Sequence, residues 1–406
     1  MSSKNNESTA IFNISELHTQ DAESRVIKDA GIVFEDGKIA WVGPSKDVPA
    51  ADVSVDADGK AALPGWVDSH THIIFDGDRS AEFEARMAGE SYSAGGINVT
   101  TEATRAASDE RLSGLVRDRI RQAVDGGTTY LETKTGYGLQ VAEEIRHAKL
   151  AHQLKEDGEL DTVTFLGAHL VPAGVDADEY LADVNGPMLE GVTPYVDWAD
   201  VFCERGAFNE DQSRSVLQHA KDAGLGLRVH GNQLGEGPGV RLAVEMGATS
   251  VDHVNYLSDS DVEALAGSWS DYDRDNGTGQ RGTVATCLPA CDLSTREQLA
   301  PGRRLLDAGA VIALASNCNP GTSYTSSMNF CVGTAVLQMG LSLHEAIRAA
   351  TLGGAIAVGA DDEVGSLEVG KRADLHLLNA PAAIHLAYRP GMPMTHSVWR
   401  RGVRAV

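Results

Sequence analysis

The segment PGWVDSHTH, residues 64–72, ends an apolar run with two histidines one residue apart. On an extended strand the side chains of residues i and i+2 point to the same face, so His70 and His72 can approach one metal ion together. Neutral imidazoles are common ligands of zinc and of other transition metals. A single pair of this kind also occurs without a metal, so the interpretation depends on what the rest of the chain supplies.

Further polar residues follow apolar runs at intervals along the chain, namely His169, His230, His253 and the loop of residues 317–321. In a parallel barrel the C-terminal ends of all strands meet at one mouth, where side chains distant in sequence converge. The series therefore favours an α/β fold, a (β/α)8 barrel of TIM type, with a metal site at that mouth.

Strand and helix patterns alternate between residues 64 and 364, as expected of βα units. The strand candidates lie at 65–75, 128–138, 162–172, 199–204, 226–233, 249–257, 282–290 and 310–321. Apolar residues recur at helical spacing in segments 141–154, 212–223, 240–246 and 342–350. A polar, glycine-rich stretch at 269–282 is typical of a surface loop.

Both ends of the chain have the pattern of short strands separated by turns. Asp36-Gly37 between two apolar runs predicts a β-hairpin near the N-terminus, and residues 365–378 and 397–406 again indicate strands broken by glycine. We expect one small β-sandwich domain built from residues 1–63 and 365–406, with the barrel at 64–364 inserted between them. Two independent β segments remain an alternative.

Composition limits the class of protein. The net charge is −24 at pH 7 and the acidic residues are spread along the chain, which argues against a nucleic-acid partner because phosphates would be repelled. No run of about eighteen apolar residues is present, so no membrane span is expected. The first residues, MSSKNNESTA, lack the apolar core of a secretory signal, and we expect a cytoplasmic protein. The acidity also makes a halophilic source a hypothesis.

Five cysteines form an odd set without the paired spacing of a zinc knuckle. Most of them lie in apolar, strand-like segments. This pattern predicts reduced, partly buried thiols rather than disulfides.

The arrangement of the strand-end residues resembles the amidohydrolase superfamily of metal-dependent hydrolases. It consists of HxH on the first strand, His230 on the fifth, His253 on the sixth and a polar group ending the eighth. A closer resemblance is to the imidazolonepropionase family of histidine degradation, and it covers nearly the whole chain. HxH is shared by many hydrolases, so the combination of Arg79, Tyr137, His169 and residues 319–321 is more discriminating. The motifs are PGWVDSHTH, GDRSAEFEARMAGESY, ETKTGYGL, FLGAHLVP, HGNQ, DH and NCNPGTSYTSSM.

The resemblance implies that a metal-activated water hydrolyses the ring C–N bond of 4-imidazolone-5-propanoate to N-formimino-L-glutamate, with one Zn²⁺ or Fe³⁺ ion per subunit. The expected metal ligands are His70, His72 and His230, with Asn317 as a weak fourth contact. His253 is expected to orient or deprotonate the water, and Gln233 to hold the ring amide. The other expected substrate contacts are Arg79 as a carboxylate clamp, Tyr92, Tyr137, His169 at the ring carbonyl, Asn319, Gly321 and Thr322.

Each of these substrate residues also has an ordinary structural interpretation. Arg79 has the acidic neighbours Asp76, Asp78 and Glu82, so a salt bridge at the surface is its alternative. A tyrosine between glycines commonly anchors a turn, and Asn-Pro-Gly encodes a turn by itself. For His169 the alternative is a histidine buried in the core.

Two positions depart from the family pattern. Gln233 stands where some amidohydrolases have a proton-shuttling glutamate, and Asn317 stands where the eighth strand normally ends in an aspartate that accepts the proton of the attacking water. Neither amide titrates, and loss of the base lowers turnover by about 10² to 10⁴ if nothing replaces it.

Three explanations stay open for Asn317: a relay through His253, a mutated inactive variant, or a natural relative that binds without efficient hydrolysis. We favour the interpretation that this chain is a family member with reduced activity. The alternative functions are another mononuclear amidohydrolase or deaminase of a cyclic amide, and a catalytically impaired ligand-binding relative. The expected partner is a small-molecule substrate, and a homodimer is one candidate assembly.

Overall fold

The computed structural model describes residues 7–89, 96–273 and 278–406. The chain divides into two compact units. One consists of Met1–Asp68, Arg121–Tyr130 and Ser327–Val406, and the other of Ser69–Ile120 and Leu131–Ser326. The domain boundaries after residues 63 and 364 were inferred from the alternation of strand and helix patterns, and they stay a prediction.

Strands from both ends of the chain form one sheet. They are β1 (Thr9–His18), β2 (Val26–Glu35), β3 (Lys38–Pro44), β4 (Val53–Asp56), β5 (Ala62–Pro64), β16 (Leu375–Leu378), β17 (Thr395–Arg400) and β18 (Val403–Arg404), in the order β18-β17-β16-β5-β1-β2-β3 with β4 beside β1. Asp36 and Gly37 connect β2 to β3 with φ of 51° and 76°, the left-handed conformation that a tight hairpin requires. Ile11, Phe34 and Trp399 belong to the core that this sheet covers.

A second sheet contains the strands β6 (Trp66–Asp68), β7 (Thr128–Lys134), β8 (Thr162–Ala168), β9 (Trp198–Cys203), β10 (Gly226–Gly231), β11 (Ser250–His253), β14 (Val284–Cys287) and β15 (Ile312–Leu314), in that spatial order. Neighbouring strands from β7 to β15 pair in parallel. Beyond β6 and β15 the ends are joined, since the Asn317 amide donates to the His70 carbonyl at 3.0 Å and the His72 amide to the Cys318 carbonyl at 2.9 Å. These bonds close the barrel.

Helices alternate with the barrel strands, as the sequence predicts, and one further helix lies between β16 and β17 of the first sheet. They are α1 (Ser80–Met87), α2 (Ile97–Ala106), α3 (Asp109–Asp125), α4 (Val141–Glu156), α5 (Ala177–Asp183), α6 (Leu189–Val192), α7 (Glu210–Asp222), α8 (Gly239–Met246), α9 (Asp259–Gly267), α10 (Pro289–Thr295), α11 (Gly302–Asp307), α12 (Met328–Gln338), α13 (Leu343–Arg348), α14 (Gly354–Ala357) and α15 (His385–Tyr388). The (β/α)8 prediction is confirmed.

The segment 269–282 is only partly the irregular loop expected from its composition. Two short strands, β12 (Tyr272–Asp273) and β13 (Thr278–Gly279), pair antiparallel within it. Gly279 has φ of 98°, a conformation that glycine adopts at little cost. Residues 274–277, between the two strands, lie outside the described part of the chain. In the described part of the chain, no helix combines the length and apolar character that crossing a bilayer requires.

Candidate metal centre

Three imidazoles converge where β6 and β10 end. The Nε2 atom of His72 lies 3.2 Å from Nε2 of His70 and 3.4 Å from Nε2 of His230. Ligand nitrogens at 2.0–2.1 Å from a tetrahedral zinc ion stand about 3.3–3.4 Å apart. The spacing of the three nitrogens therefore fits one ion.

Two carboxylates fix the orientation of these rings. Nδ1 of His70 donates to Asp252 at 2.7 Å, and Nδ1 of His230 donates to Asp200 at 3.0 Å. Burial by itself raises the pKa of Asp200, but His230 and Lys134 outweigh it and hold the pKa well below the usual range, so this carboxylate only accepts. In the neutral form of either ring, Nε2 is then the unprotonated nitrogen, and it faces the other rings.

Bare nitrogen lone pairs at this spacing repel one another unless a cation lies between them. Burial lowers the pKa of His70 and His72 well below the ordinary value, so neither ring is a cation at neutral pH. The residues present thus suit a metal ion.

A buried ionic network below the triad has an excess of negative charge. Lys134 Nζ lies 2.9 Å from Glu132 and 3.0 Å from Asp200, and Arg228 Nη2 lies 3.1 Å from Asp252. Three carboxylates against two cations leave a net charge of −1 when the histidines are neutral. In a dry interior this excess favours a bound cation.

The backbone is strained beside the triad. His253 and Val254 have φ of 86° and 50°, and Asn317 has φ of 51°. A left-handed conformation is unusual for a β-branched residue such as Val254 and is typical of functional sites. These left-handed residues lie at or just after the C-terminal ends of β11 and β15.

A pocket opens above the triad. Ile97, Leu170 and Phe202 form apolar parts of its wall. Among the described residues that line it, none is an aspartate or a glutamate. The polar lining residues are His72, Arg79, Tyr137, His169, His230, Gln233, His253, Asn317, Asn319 and Thr322.

Two histidines outside the triad are neutral at physiological pH. Burial lowers the pKa of His253 to about 3 and that of His169 to about 4. Nδ1 of His169 donates to the Gly136 carbonyl at 2.8 Å, so its Nε2 is an acceptor. This tautomer does not stabilise an oxyanion, the role expected for His169 from sequence, because an oxyanion needs a donor.

Arg79 lines the pocket with an almost buried side chain, and it is also in an ion pair. Its Nε and Nη2 atoms each donate to Glu82 at 2.8 Å. The remaining nitrogen, Nη1, faces Gly321, where a Cβ atom would stand 2.3 Å from it. Any side chain at residue 321 would therefore have to displace the Arg79 guanidinium, which occupies that space.

The side chain of Asn319 organises the loop after β15. Its Oδ1 accepts from the amides of Gly321 and Thr322 at 2.9 and 2.8 Å, and its Nδ2 donates to the Asn317 carbonyl at 2.7 Å. An asparagine at the start of a turn typically satisfies the following amides in this way. Asn319 thus acts as the turn residue that Asn-Pro-Gly encodes. It also lines the pocket, and its contact with substrate stays a prediction.

The remaining predicted residues differ in position. Tyr137 is buried beside His72 and His169, with ring centroids 6.3 and 5.6 Å away. The backbone amide of Gln233 donates to Glu204 at 2.9 Å, and its side chain lines the pocket. Tyr92 lies outside the described residues.

Sequence reasoning missed the carboxylates and cations below the triad. Asp200, Lys134 and Arg228 are charged residues inside apolar strands, which is the one signal that marks them in the sequence. Their partners depend on the register of neighbouring parallel strands, such as Arg228 beside Asp200. A single sequence does not reveal that register.

Solved structures share this fold. An atrazine chlorohydrolase from Arthrobacter aurescens complexed with zinc has a TM-score of 0.72 at 18% identity, with 98% of this chain and 95% of that one covered. An adenosine deaminase from Xanthomonas campestris with bound zinc has a TM-score of 0.70 at 19% identity, with coverage of 98% and 92%. At these identities the similarity concerns the fold alone.

Sequence relatives are much closer. The amidohydrolase family model matches residues 203–403. An imidazolonepropionase of Micrococcus luteus is 69% identical over 399 residues, which span 98% of this chain and 100% of that protein. Imidazolonepropionases of Arthrobacter sp. (strain FB24) and Streptomyces coelicolor are 70% and 49% identical, each over 98% of this chain and over 100% and 99% of the relative. This chain therefore belongs to the imidazolonepropionase family of the amidohydrolases.

Proposed function

We propose that this protein hydrolyses the ring C–N bond of 4-imidazolone-5-propanoate to N-formimino-L-glutamate. The observation that carries the proposal is the convergence of three imidazole Nε2 atoms, those of His70, His72 and His230, beside a pocket with a buried arginine. A small-molecule substrate suits a pocket of this kind.

His70, His72 and His230 would hold one ion, Zn²⁺ or Fe³⁺, with the amide oxygen of Asn317 as a weaker fourth contact. When bound, such an ion lowers the pKa of a coordinated water and polarises the substrate carbonyl. Asp252 and Asp200 keep Nδ1 of His70 and His230 protonated, so that Nε2 is the ligand atom.

The pocket offers complementary groups to each part of the substrate. Nη1 of Arg79 faces away from the Glu82 carboxylate and supplies a donor to the propanoate. Nε2 of His169 accepts from a ring N–H, because Nδ1 of that histidine is already a donor to the backbone. Tyr137 and the amide of Gln233 bind the remaining polar edge of the ring.

Hydrolysis forms one bond and breaks one. The water oxygen bonds to the ring carbonyl carbon, and the bond from that carbon to the ring nitrogen breaks. The carbonyl becomes the α-carboxylate of the product, and the released nitrogen becomes part of the formimino group. Of the two water protons, one goes to that nitrogen and the other leaves to solvent.

We infer that His253 accepts the proton of the attacking water, although a pKa of about 3 makes its imidazole a weak base, which agrees with the reduced activity expected of this chain. His253 is neutral, buried and part of the pocket lining, and no aspartate or glutamate is among the described lining residues. An imidazole in this role takes the proton from water and passes it to the leaving nitrogen. This relay accounts for hydrolysis in a site whose usual carboxylate is replaced by Asn317.

A single experiment distinguishes this function from the two alternative functions. Purified protein loaded with Zn²⁺ or iron is mixed with imidazolone propanoate, and ultraviolet absorbance and formiminoglutamate are followed together. We expect absorbance to fall as product appears. Tight binding without loss of absorbance supports the impaired ligand-binding relative, for which Asn317 and Gln233 are the argument. Inertness toward this compound with turnover of another cyclic amide supports a different amidohydrolase.

We also propose a cytoplasmic location, since histidine degradation uses cytoplasmic metabolites, and a homodimeric assembly. Light scattering after gel filtration tests the second point. A monomer at all concentrations would contradict it.

A further inference from the structure

Cys291 lies beneath the pocket, directly beside the two positions that depart from the family pattern. It belongs to α10, is fully buried, and packs against Leu288 and Ala315. All five cysteines are free and buried, so no disulfide engages this thiol. Burial raises the pKa of the Cys291 thiol to about 12, which keeps it neutral at any working pH.

The thiol contacts both amides. Nε2 of Gln233 donates to Sγ of Cys291 at 3.9 Å. The side chains of Asn317 and Thr322 lie close enough to the same sulfur to lower the pKa of the thiol, against the larger effect of burial. One weak acceptor is thus shared by the two residues that stand where carboxylates are expected.

An amide has a donor end and an acceptor end that point in different directions, so a contact to one end sets the direction of the other. A side chain that lowers the pKa of a thiol through a hydrogen bond presents a donor to the sulfur, so we infer that the amino group of Asn317 faces Cys291 and its oxygen points elsewhere. Oδ1 of Asn317 is buried and accepts no hydrogen bond from any described residue. Burying a carbonyl oxygen without a hydrogen bond costs free energy unless a ligand interacts with that oxygen. The histidine triad lies beside it.

The geometry points to Cys291 as a positioning residue that directs the amide oxygens of Asn317 and Gln233 toward the metal centre and the substrate. The inference rests on the proposed metal function. A carboxylate at residue 317 would present equivalent oxygens and would need no such guidance. The thiol therefore matters because the residue is an amide.

A double-mutant cycle isolates this role. Zn²⁺ affinity of metal-free protein is measured by competition with a chromophoric chelator, which is independent of catalysis. We expect Cys291→Ala to weaken Zn²⁺ binding about 10-fold in the parent, at the lower end of the effects of residues that orient metal ligands. In the Asn317→Asp background the same substitution should change affinity by about 2-fold or less.

Two further variants serve as controls. Cys287→Ala removes another fully buried thiol, which faces neither amide, and should leave the affinity unchanged in both backgrounds. Cys291→Ser keeps an acceptor for both amino groups and should recover part of the loss. Thermal unfolding confirms that all variants are folded.

Equal weakening in the two backgrounds, or none in the parent, overturns the inference while the metal function stands. Absence of Zn²⁺ binding by the unsubstituted protein overturns both. A thiolate-to-metal charge-transfer band on loading with Co²⁺ would also contradict the inference, because Cys291 would then be a ligand rather than a positioning residue.

Discussion

At the scale of single residues, the site combines neutral imidazoles with amides in place of the usual carboxylates. Because these side chains are neutral, the charge of a bound cation has to be balanced by the buried ionic network. In that network Asp252 and Asp200 accept hydrogen bonds from His70 and His230. Proton transfer then depends on imidazole. His253 is the residue in which this dependence is tested.

Replacing His253 with asparagine should lower kcat by about 10² to 10⁴, because the pocket then loses its proposed proton acceptor. The metal content should not change, since His253 is not one of the three converging ligands. Steady-state hydrolysis and metal analysis check both points. His147→Asn is the matched control, because His147 is also buried and neutral and does not line the pocket. Full activity of the His253 variant would refute the relay.

Replacing Asn317 with aspartate should raise kcat by about 10-fold, because a carboxylate accepts a proton and an amide does not. The gain is smaller than the full effect of a general base, about 10² to 10⁴, since His253 already supplies part of it. Hydrolysis rates of the two proteins at saturating metal are compared. Equal rates would show that this position is not a proton acceptor.

At the scale of elements, the loop after β15 shows what a sequence reveals and what it does not. Asn-Pro-Gly predicts a turn, and the bonds of Asn319 within the loop agree with that. The lack of space for a side chain at residue 321 comes from Arg79, which is about 240 residues away in sequence. Contacts of this range depend on the closure of the barrel, which local patterns do not contain.

Gly321→Ala should raise KM for imidazolone propanoate about 10-fold with little change in kcat, because the new methyl group displaces the Arg79 guanidinium from the propanoate site. Substrate saturation curves measure the effect. Gly237→Ala is the control, since its added Cβ would meet no atom closer than 3.9 Å. An unchanged KM would remove Arg79 from the substrate site.

In α10, Asp292 gives a pH dependence of stability. Burial raises the pKa of this carboxyl to about 7, above its value of 3.8 in an unfolded chain. The folded protein therefore binds more protons between these values, and stability falls as the pH rises toward 7. Asp292→Asn removes this loss. The stability gained over the parent should increase between pH 5.5 and about 7 and then level off, as thermal unfolding would show; a gain independent of pH would contradict it.

At the scale of the whole molecule, the strands could be predicted because runs of apolar residues and their alternation with helical segments are local features of the sequence. Each of the eight strand segments predicted from sequence overlaps one barrel strand, and the strands of both chain ends share one sheet. The bounds of the two compact units depend instead on which residues pack together in the folded chain. Residues 121–130, at the end of α3 and the start of β7, group with the terminal segments, which no composition change in the sequence announces.

The site was predictable in part for the same reason. HxH, His230 and His253 stand at strand ends, where the barrel topology brings them together. Lys134, Glu132 and Arg228 carry charges that the barrel buries as pairs, and such pairing requires coordinates. Cys291 gave no signal in the sequence beyond a buried thiol.

The central claim is that His70, His72 and His230 hold one ion on which hydrolysis depends. Metal-free protein is titrated with Zn²⁺ or iron while the disappearance of imidazolone propanoate is followed. The rate should rise in proportion to added metal and saturate at one ion per chain, and His72→Asn should abolish both the binding and the rate. Hydrolysis by protein free of metal, or saturation only at two ions per chain, would contradict the account.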